Sequence, residues 1–429
     1  MMGAVWVFQR FLLASGLANL ADGIATIAWV WVATLLTRDA GLIAIVPVAL
    51  RLPWAIFAIP AGLVADRVDR RVLVLAMDLV RAGAFLAAGV ALWQAGDLPP
   101  PPAQGVVSAP LFAALCLSAM IVGVAEVFRD NAAQTLLPDI VPDAGLERAN
   151  GRLLTVEAIA NQMVGPAFGA FLLGAAFSLP FVVNAVAYAV AAGLMLGLRG
   201  RFRPETPVDT RWRVALVQGF AFLRGQRLLV LLAIITGAWN FFGAAIFFAL
   251  VLHAQENLGL DAQHYGFALA GMAAGGMVAG LVGDRVIARF GGRRVMQGTM
   301  ISSALAMLAF PMMPNGWALA LCFFALELGG ITWNIVSNSL RQRLIPQALR
   351  GRVNSIYRLL AWGMIPLGAG LAGWAIVVSE PALGRAVAVT VPLWAAGIGQ
   401  MVLSALALRP LSRALMQGAT VEPRRFAQD

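Results

Sequence analysis

Lysine is absent from this chain of 429 residues; all 31 basic residues are arginine. That excludes a Schiff-base lysine and the lysine with which a P-loop grips a nucleotide. Nothing here binds ATP by that route, so uphill work must draw on an ion gradient or a partner. Charge of either sign is scarce, at 12% of residues against 60% hydrophobic. A soluble chain of this length needs a far more polar surface. The two histidines, His253 and His264, sit near one loop, and the two cysteines, Cys116 and Cys322, lie in separate apolar runs. Clustered metal ligands, a disulfide framework and a nucleophile motif are therefore all missing. No metal and no cofactor are called for.

What is present is a series of apolar runs of ~20 residues, each long enough to span a bilayer. They are read as spans over Phe8–Leu36, Gly41–Ala65, Val72–Gln94, Leu111–Phe128, a fifth around Gly165-Pro166, then Pro180–Leu198. Six more follow: Leu228–Leu252, Gly266–Val286, Val295–Met313, Trp317–Val336, Ser355–Val378 and Ala386–Leu408. The first run opens like a signal peptide at Arg10-Phe11. It continues past Asp22 to Leu36, too long for a cleaved leader. The net charge of +10 invites a nucleic-acid partner, but the distribution argues against one. Arg38 and Arg385 fall on one side of the spans, Arg51, Arg81 and Arg358 inside them, and every other arginine on the opposite side. This is the positive-inside pattern, with both termini cytoplasmic.

The segment Arg199–Arg227 is the longest charged connection. Within it Trp212, Leu216, Phe220 and Leu223 recur at helical spacing, which predicts an interfacial amphipathic helix. The expected units are residues 1–198, a linker 199–227, residues 228–408 and a polar tail 409–429. Residues 138–150 are expected to be a loop. Short motifs recur between the two large units. Gly62-Leu-Val-Ala-Asp66-Arg67-Val-Asp69-Arg70-Arg71 returns in part as Gly280-Leu-Val-Gly-Asp284-Arg285. Gln134-Thr-Leu-Leu-Pro138 returns as Gln342-Arg-Leu-Ile-Pro346, and Arg148-Ala-Asn150 as Arg352-Val-Asn354. Six spans per unit make these parallel repeats about an axis along the membrane normal.

The Gly62–Arg71 turn resembles the loop between helices 2 and 3 of major facilitator superfamily transporters. Asp22, Arg51-Leu-Pro53, Leu137-Pro138, Gly165-Pro166-x-x-Gly169 and Leu349-Arg-Gly-Arg352-Val353 together resemble its exporter branch of macrolide-efflux and enterobactin-export proteins. The resemblance implies export of a small amphipathic molecule in exchange for protons, by rocking one unit against the other. It also implies a bacterial inner-membrane protein that works as a monomer. Gly165, Pro166 and Gly169 are similar to the antiporter motif of span 5. Asn161 and Ala170 replace two of that motif's glycines, so the match is partial. The plain alternative is a Gly-Pro kink in a packed helix.

A charge at mid-bilayer costs about 2.5–3.5 kcal/mol, so each one asks for a reason. Asp22 and Arg51 lie at similar depth in spans 1 and 2. They are expected to pair, with Asp22 as the proton-coupling carboxylate and Arg51 as its charge partner; a static tether is the alternative. Glu327, in span 10, has no basic neighbour at its depth. It is a second candidate for the proton, or a contact for a cationic substrate. Asp78 and Arg81 are one turn apart and read as a local helix pair. The resemblance implies a cytoplasmic gate. Gly62 would allow a tight turn, and Asp66 would sit at the start of span 11 near Asn354–Arg358. Arg70, beside Arg71, would pair with Asp130 or Glu126; Asp284 is the equivalent of Asp66 in the second copy. Asn19, Asn161, Asn240, Trp333 and Asn334 are the candidates to line a substrate cavity.

The expected fold is an all-α polytopic membrane protein with twelve transmembrane helices in two six-helix repeats. The expected function is proton-driven export of amphipathic compounds, with a small-molecule substrate and the bilayer as partners and no nucleic acid. Uptake or lysophospholipid flipping by the same fold stays open. So do a membrane enzyme and a non-transporting sensor. Against these stand the missing catalytic cluster and the missing soluble domain.

Overall fold

The computed structural model describes residues 2–65, 67–141, 143–198, 200, 202, 212–346 and 349–418. Among them twelve helices are long and apolar enough to cross a membrane. Spans 1–6 are Trp6–Leu36, Ala40–Ala58, Arg70–Ala95, Ala109–Ile140, Ala149–Ala175 and Leu179–Leu196. Spans 7–12 are Arg227–Glu256, Ala262–Phe290, Gly292–Met312, Gly316–Leu344, Arg352–Leu383 and Arg385–Met416. Span 1 begins, and span 12 ends, on one side, here the terminal face; the other is the opposite face.

Hydropathy located every span but cut most of them short. Span 4 continues to Ile140, and a helix resumes at Asp143, so the loop expected over 138–150 is mostly helical. Polar residues there close onto the helix itself. Asn131 donates to the Val127 carbonyl (2.7 Å) and Thr135 to that of Asn131 (3.1 Å). The last helix likewise runs through the expected tail to Gly418. Helix starts carry side-chain caps: Asp69 before span 3, Ser108 before span 4, Asn315 before span 10. Asp261 caps span 8, and the His264 amide holds its carboxyl below the usual range. His264 thus has a partner, Asp261 at 2.8 Å, and His253 is buried against Asn257 at 2.9 Å.

The expected linker helix exists as Trp212–Gly225. Residues 203–211 and the side chains of Trp212 and Leu216 lie outside the described residues. Leu223 is buried, whereas Phe220 is exposed. Arg352 of span 11 donates to Gln218 (2.6 Å), so this helix rides on the start of span 11.

Spans 1 and 5 cross closely. A Cβ added at Gly165 would lie 2.5 Å from the Gly23 Cα, and one at Gly169 2.5 Å from the Ile24 carbonyl. Pro166 is buried between them, and a π-helical turn, Ile159–Val164, precedes them. Such turns are frequent at functional sites in helices.

Spans 1–6 meet spans 7–12 differently at the two faces. Toward the opposite face they meet backbone to backbone. A Cβ at Gly373 of span 11 would lie 2.6 Å from the Ala44 Cβ and 2.7 Å from the Ala40 carbonyl of span 2. Gly266 of span 8 meets Ala170 of span 5, and Gln263 lies against Gly174. Toward the terminal face long side chains meet instead. Trp54 and Trp362 pack edge to face at 5.3 Å, and Arg358 donates to Gln134 (3.1 Å). The chain is therefore closed at the opposite face.

The two arginines set apart by sequence, Arg38 and Arg385, share one carboxylate at that closed face. Arg385 binds Glu256 through two nitrogens, each at 2.8 Å, and also Glu380 at 3.0 Å. Arg38 reaches Glu256 at 3.5 Å from a half-exposed position. A single long, exposed pair contributes about 0–1 kcal/mol, a bidentate one more. Arg385→Ala should therefore lower the melting temperature of the purified protein clearly, and Arg38→Ala hardly at all. Equal shifts for the two variants would contradict this ranking.

Candidate functional site

The buried charges gather in spans 1–4. The Asp22 carboxylate accepts from the Arg81 guanidinium and from the Tyr188 hydroxyl (2.6 Å). Arg81 also donates to the Tyr188 oxygen (2.5 Å) and sits 4.1 Å from its ring centre. Trp29, Phe85 and Phe181 pack around this triad on the side of the opposite face. The Arg81 side chain is 0% exposed, while that of Asp22 keeps 15%. The acid remains open to a small visitor; the cation is sealed.

This differs from the expected pairing. Arg51 is not the partner of Asp22: it donates to Glu126 of span 4 at 2.9 Å. Depth alone set that expectation, and depth does not say which way a side chain points around its helix. Nor are Asp78 and Arg81 a local pair. Asp78 faces Arg129 of span 4 at 3.4 Å, and Arg129 reaches Asp130 at 3.2 Å. Residues one turn apart on span 3 thus serve different neighbours.

The charged turn also departs from expectation. Asp66 lies outside the described residues. Arg70 pairs with Asp139 (2.6 Å) and the Thr135 carbonyl (3.0 Å), not with Asp130 or Glu126. Asp139 is nine residues beyond Asp130, roughly 13 Å nearer the membrane surface at 1.5 Å per residue. An arginine at the first residue of span 3 meets it there. Arg71 binds the carbonyls of Met195 (2.9 Å) and Leu196 (2.7 Å) at the end of span 6. Gly62 has room for a side chain, the nearest atom to an added Cβ being 4.0 Å away. Asp284 is exposed and shows no ion pair among the described residues. The side-chain bonds of Arg70 and Arg71 stay within spans 1–6.

A cavity opens among spans 7, 9, 10, 11 and 12, with an empty volume of about 530 Å³ including its mouth. Asn240, Trp333 and Asn334 line it, with Trp239, Trp362, Thr236 and Gln400. Asn19 and Asn161 do not; they bond each other at 3.3 Å where span 1 meets span 5. Glu327 shares a helical face with Gly330 and Asn334, at i, i+3 and i+7, but does not line the cavity. Among the described residues it has no hydrogen-bond or ion-pair partner.

The sequence model of the Major Facilitator Superfamily matches residues 11–370. The chain belongs to this superfamily. A curated relative, the multidrug efflux pump Tap of Mycobacterium tuberculosis, is 27% identical over 378 residues, covering 84% of this chain and 85% of that protein. Two solved structures share the fold. A variant of the nucleoside transporter NupG has a TM-score of 0.72 at 13% identity, covering 94% of this chain and 99% of that one. A bacterial homologue of the human lysosomal transporter Spinster, inward-facing and unoccupied, has a TM-score of 0.69 at 14% identity, covering 98% and 99%. This superfamily member is thus a membrane transporter of small molecules rather than an enzyme.

Several residues in these sites gave no strong sequence signal. Tyr188 is one of only three tyrosines, and it falls inside an apolar span. That rarity was the available clue. Arg129 looked like the end of span 4 because the helix was cut short there. Gln400 in span 12 and Trp54 in span 2 carried no motif.

Proposed function

We propose that this transporter exports small amphipathic molecules in exchange for protons, as a member of the drug-efflux branch. Spans 1–6 carry the proton and spans 7–12 the substrate contacts, as two six-helix units, residues 1–198 and 228–408, that rock against each other. The terminal face is cytoplasmic, in a bacterial inner membrane, and the working unit is a monomer. The observation that carries this reading is the partition of charge. Asp22, Asp78, Glu126 and Asp130 face Arg51, Arg81 and Arg129, so one proton brings the set to neutrality. Asp22 is the member of the sealed triad that water can reach. Protonating it weakens its hold on Arg81 and Tyr188, which tie span 1 to spans 3 and 6. Span 1 in turn carries Gly23, against the π-helical turn of span 5. A proton on Asp22 is therefore felt at the π-helical turn of span 5. The multidrug activity named for Tap supports the direction.

The test is a toxicity panel in a bacterial host stripped of its own pumps. It compares empty vector, the wild type, Asp22→Asn and Glu327→Gln at matched expression. The wild type should protect against part of the panel and Asp22→Asn against none of it; loss of cationic compounds alone in Glu327→Gln would make Glu327 a substrate contact, and loss of all compounds would make it a second coupling group. Export against a proton gradient by Asp22→Asn would overturn the coupling role. A wild type that protects against nothing would shift the reading to a lipid or to uptake.

A further inference from the structure

The cavity of spans 7–12 has a chemistry that narrows what fits it. We propose that it takes an uncharged flat ring carrying an adjacent hydrogen-bond donor and acceptor, held at its edge by the amide of Gln400. This deepens the reading of the chain as a small-molecule transporter and is independent of direction and driving ion.

Three observations converge. First, Gln400 is 1% exposed, its Oε1 has no hydrogen-bond partner, and its amide nitrogen makes no bond among the described residues. A buried amide left unpaired is unfavourable by about 1–3 kcal/mol, so the site favours an occupant that pairs with both its atoms. Second, three of the neighbouring polar side chains are already engaged. Thr236 bonds the Tyr357 hydroxyl at 2.8 Å, the Trp333 indole N–H donates to Thr236 at 3.3 Å, and the Asn240 amide nitrogen donates to the Ala361 carbonyl at 2.9 Å. Gln400 is a deeply buried amide with both a donor and an acceptor to spare. Third, among the described residues no ionisable side chain lines the cavity, whereas Trp239 and Trp362 do. A full charge there would be desolvated without a partner, while a flat apolar ring gains indole surface.

The mouth adds a consequence for transport. Trp362 borders the cavity and also touches Trp54 across the join between the two sets of spans. An occupant against Trp362 therefore bears on the contact between them.

The experiment is equilibrium dialysis of three probes of matched size against the purified full chain in lipid nanodiscs, with no gradient. 2-Quinolone offers an N–H beside a carbonyl, 1-methyl-2-quinolone keeps the carbonyl alone, and 1-methylquinolinium is a cation. The wild type should bind 2-quinolone about tenfold more tightly than its N-methyl form, as the loss of one buried hydrogen bond predicts, and the cation most weakly. Gln400→Leu should erase the difference between the first two. Gln400→Glu, of nearly the same volume, should reverse the order in favour of the cation, and carries the test if the leucine variant does not fold. No binding of 2-quinolone by the wild type, equal binding of the first two probes, or a preference that survives Gln400→Leu would overturn the proposal; equal binding would assign Gln400 a bound water instead. Each of these failures leaves the export reading standing, because that reading is tested by protection and by Asp22→Asn.

Discussion

Arg81→Met should destabilise the protein by about 3–5 kcal/mol, and adding Asp22→Asn should restore most of that loss. The figure is the usual penalty for removing one partner of a buried pair, which leaves the other charge uncompensated. Arg81 is sealed among spans 1, 3 and 6, with Asp22 and Tyr188 as its partners. Methionine is unbranched and replaces the aliphatic stem of arginine without its charge. Asp22 is then left with the Tyr188 hydroxyl alone. Asparagine at position 22 removes the stranded charge and can still accept from Tyr188. The measurement is thermal unfolding of the four proteins in one detergent, read as a double-mutant cycle. The double variant should be folded yet uncoupled in transport. Additive effects at positions 22 and 81 would mean that the two groups do not share a stabilising interaction.

Gly373→Ala should stop turnover, while Gly370→Ala, three residues away on the same helix, should leave it intact. The two variants each add one methyl group to the face that span 11 turns toward span 2. At Gly373 it would fall 2.6 Å from the Ala44 Cβ and 2.7 Å from the Ala40 carbonyl, inside any ordinary contact. At Gly370 the nearest atom is the Val48 Cγ2 at 3.6 Å, an ordinary van der Waals distance. Backbone cannot yield as a flexible side chain does, so the seam at the opposite face must part. The expected result is a population held open at that face. It is checked by the labelling rate of a single cysteine placed at the seam in a variant lacking Cys116 and Cys322, using a membrane-impermeant maleimide. Faster labelling in Gly373→Ala with no change in Gly370→Ala is expected. Equal rates would mean that the seam has slack.

The number and order of the spans could be read from the sequence because hydropathy is a property of each stretch by itself. Helix ends could not. Asn131 and Thr135 lower the hydropathy of span 4 yet bond back to the helix, so the helix outlasts its apolar stretch. Depth could also be read: Asp22 and the buried arginines do lie within the apolar layer. Azimuth could not. Arg51 and Arg81 both come near Asp22 in depth, and only the packing of spans 1, 3 and 6 decides for Arg81. For the same reason three of the five proposed cavity residues, Asn240, Trp333 and Asn334, share one cavity while Asn19 and Asn161 bond each other elsewhere. The charged turn suffered from register. Arg70 could be assigned to the end of span 4, but choosing Asp139 over Asp130 needed the true end of that helix.

The edge-to-face pair of Trp54 and Trp362 gives the protein an optical signature of its own conformation. Indoles 5.3 Å apart couple their electronic transitions strongly, and the coupling depends on both separation and angle. The two rings come from different sets of spans, so any rotation of one set against the other changes the near-ultraviolet dichroism and the fluorescence lifetime. Each working cycle would then be visible without an attached dye, once the spectrum of a Trp54→Phe protein is subtracted to remove the other tryptophans.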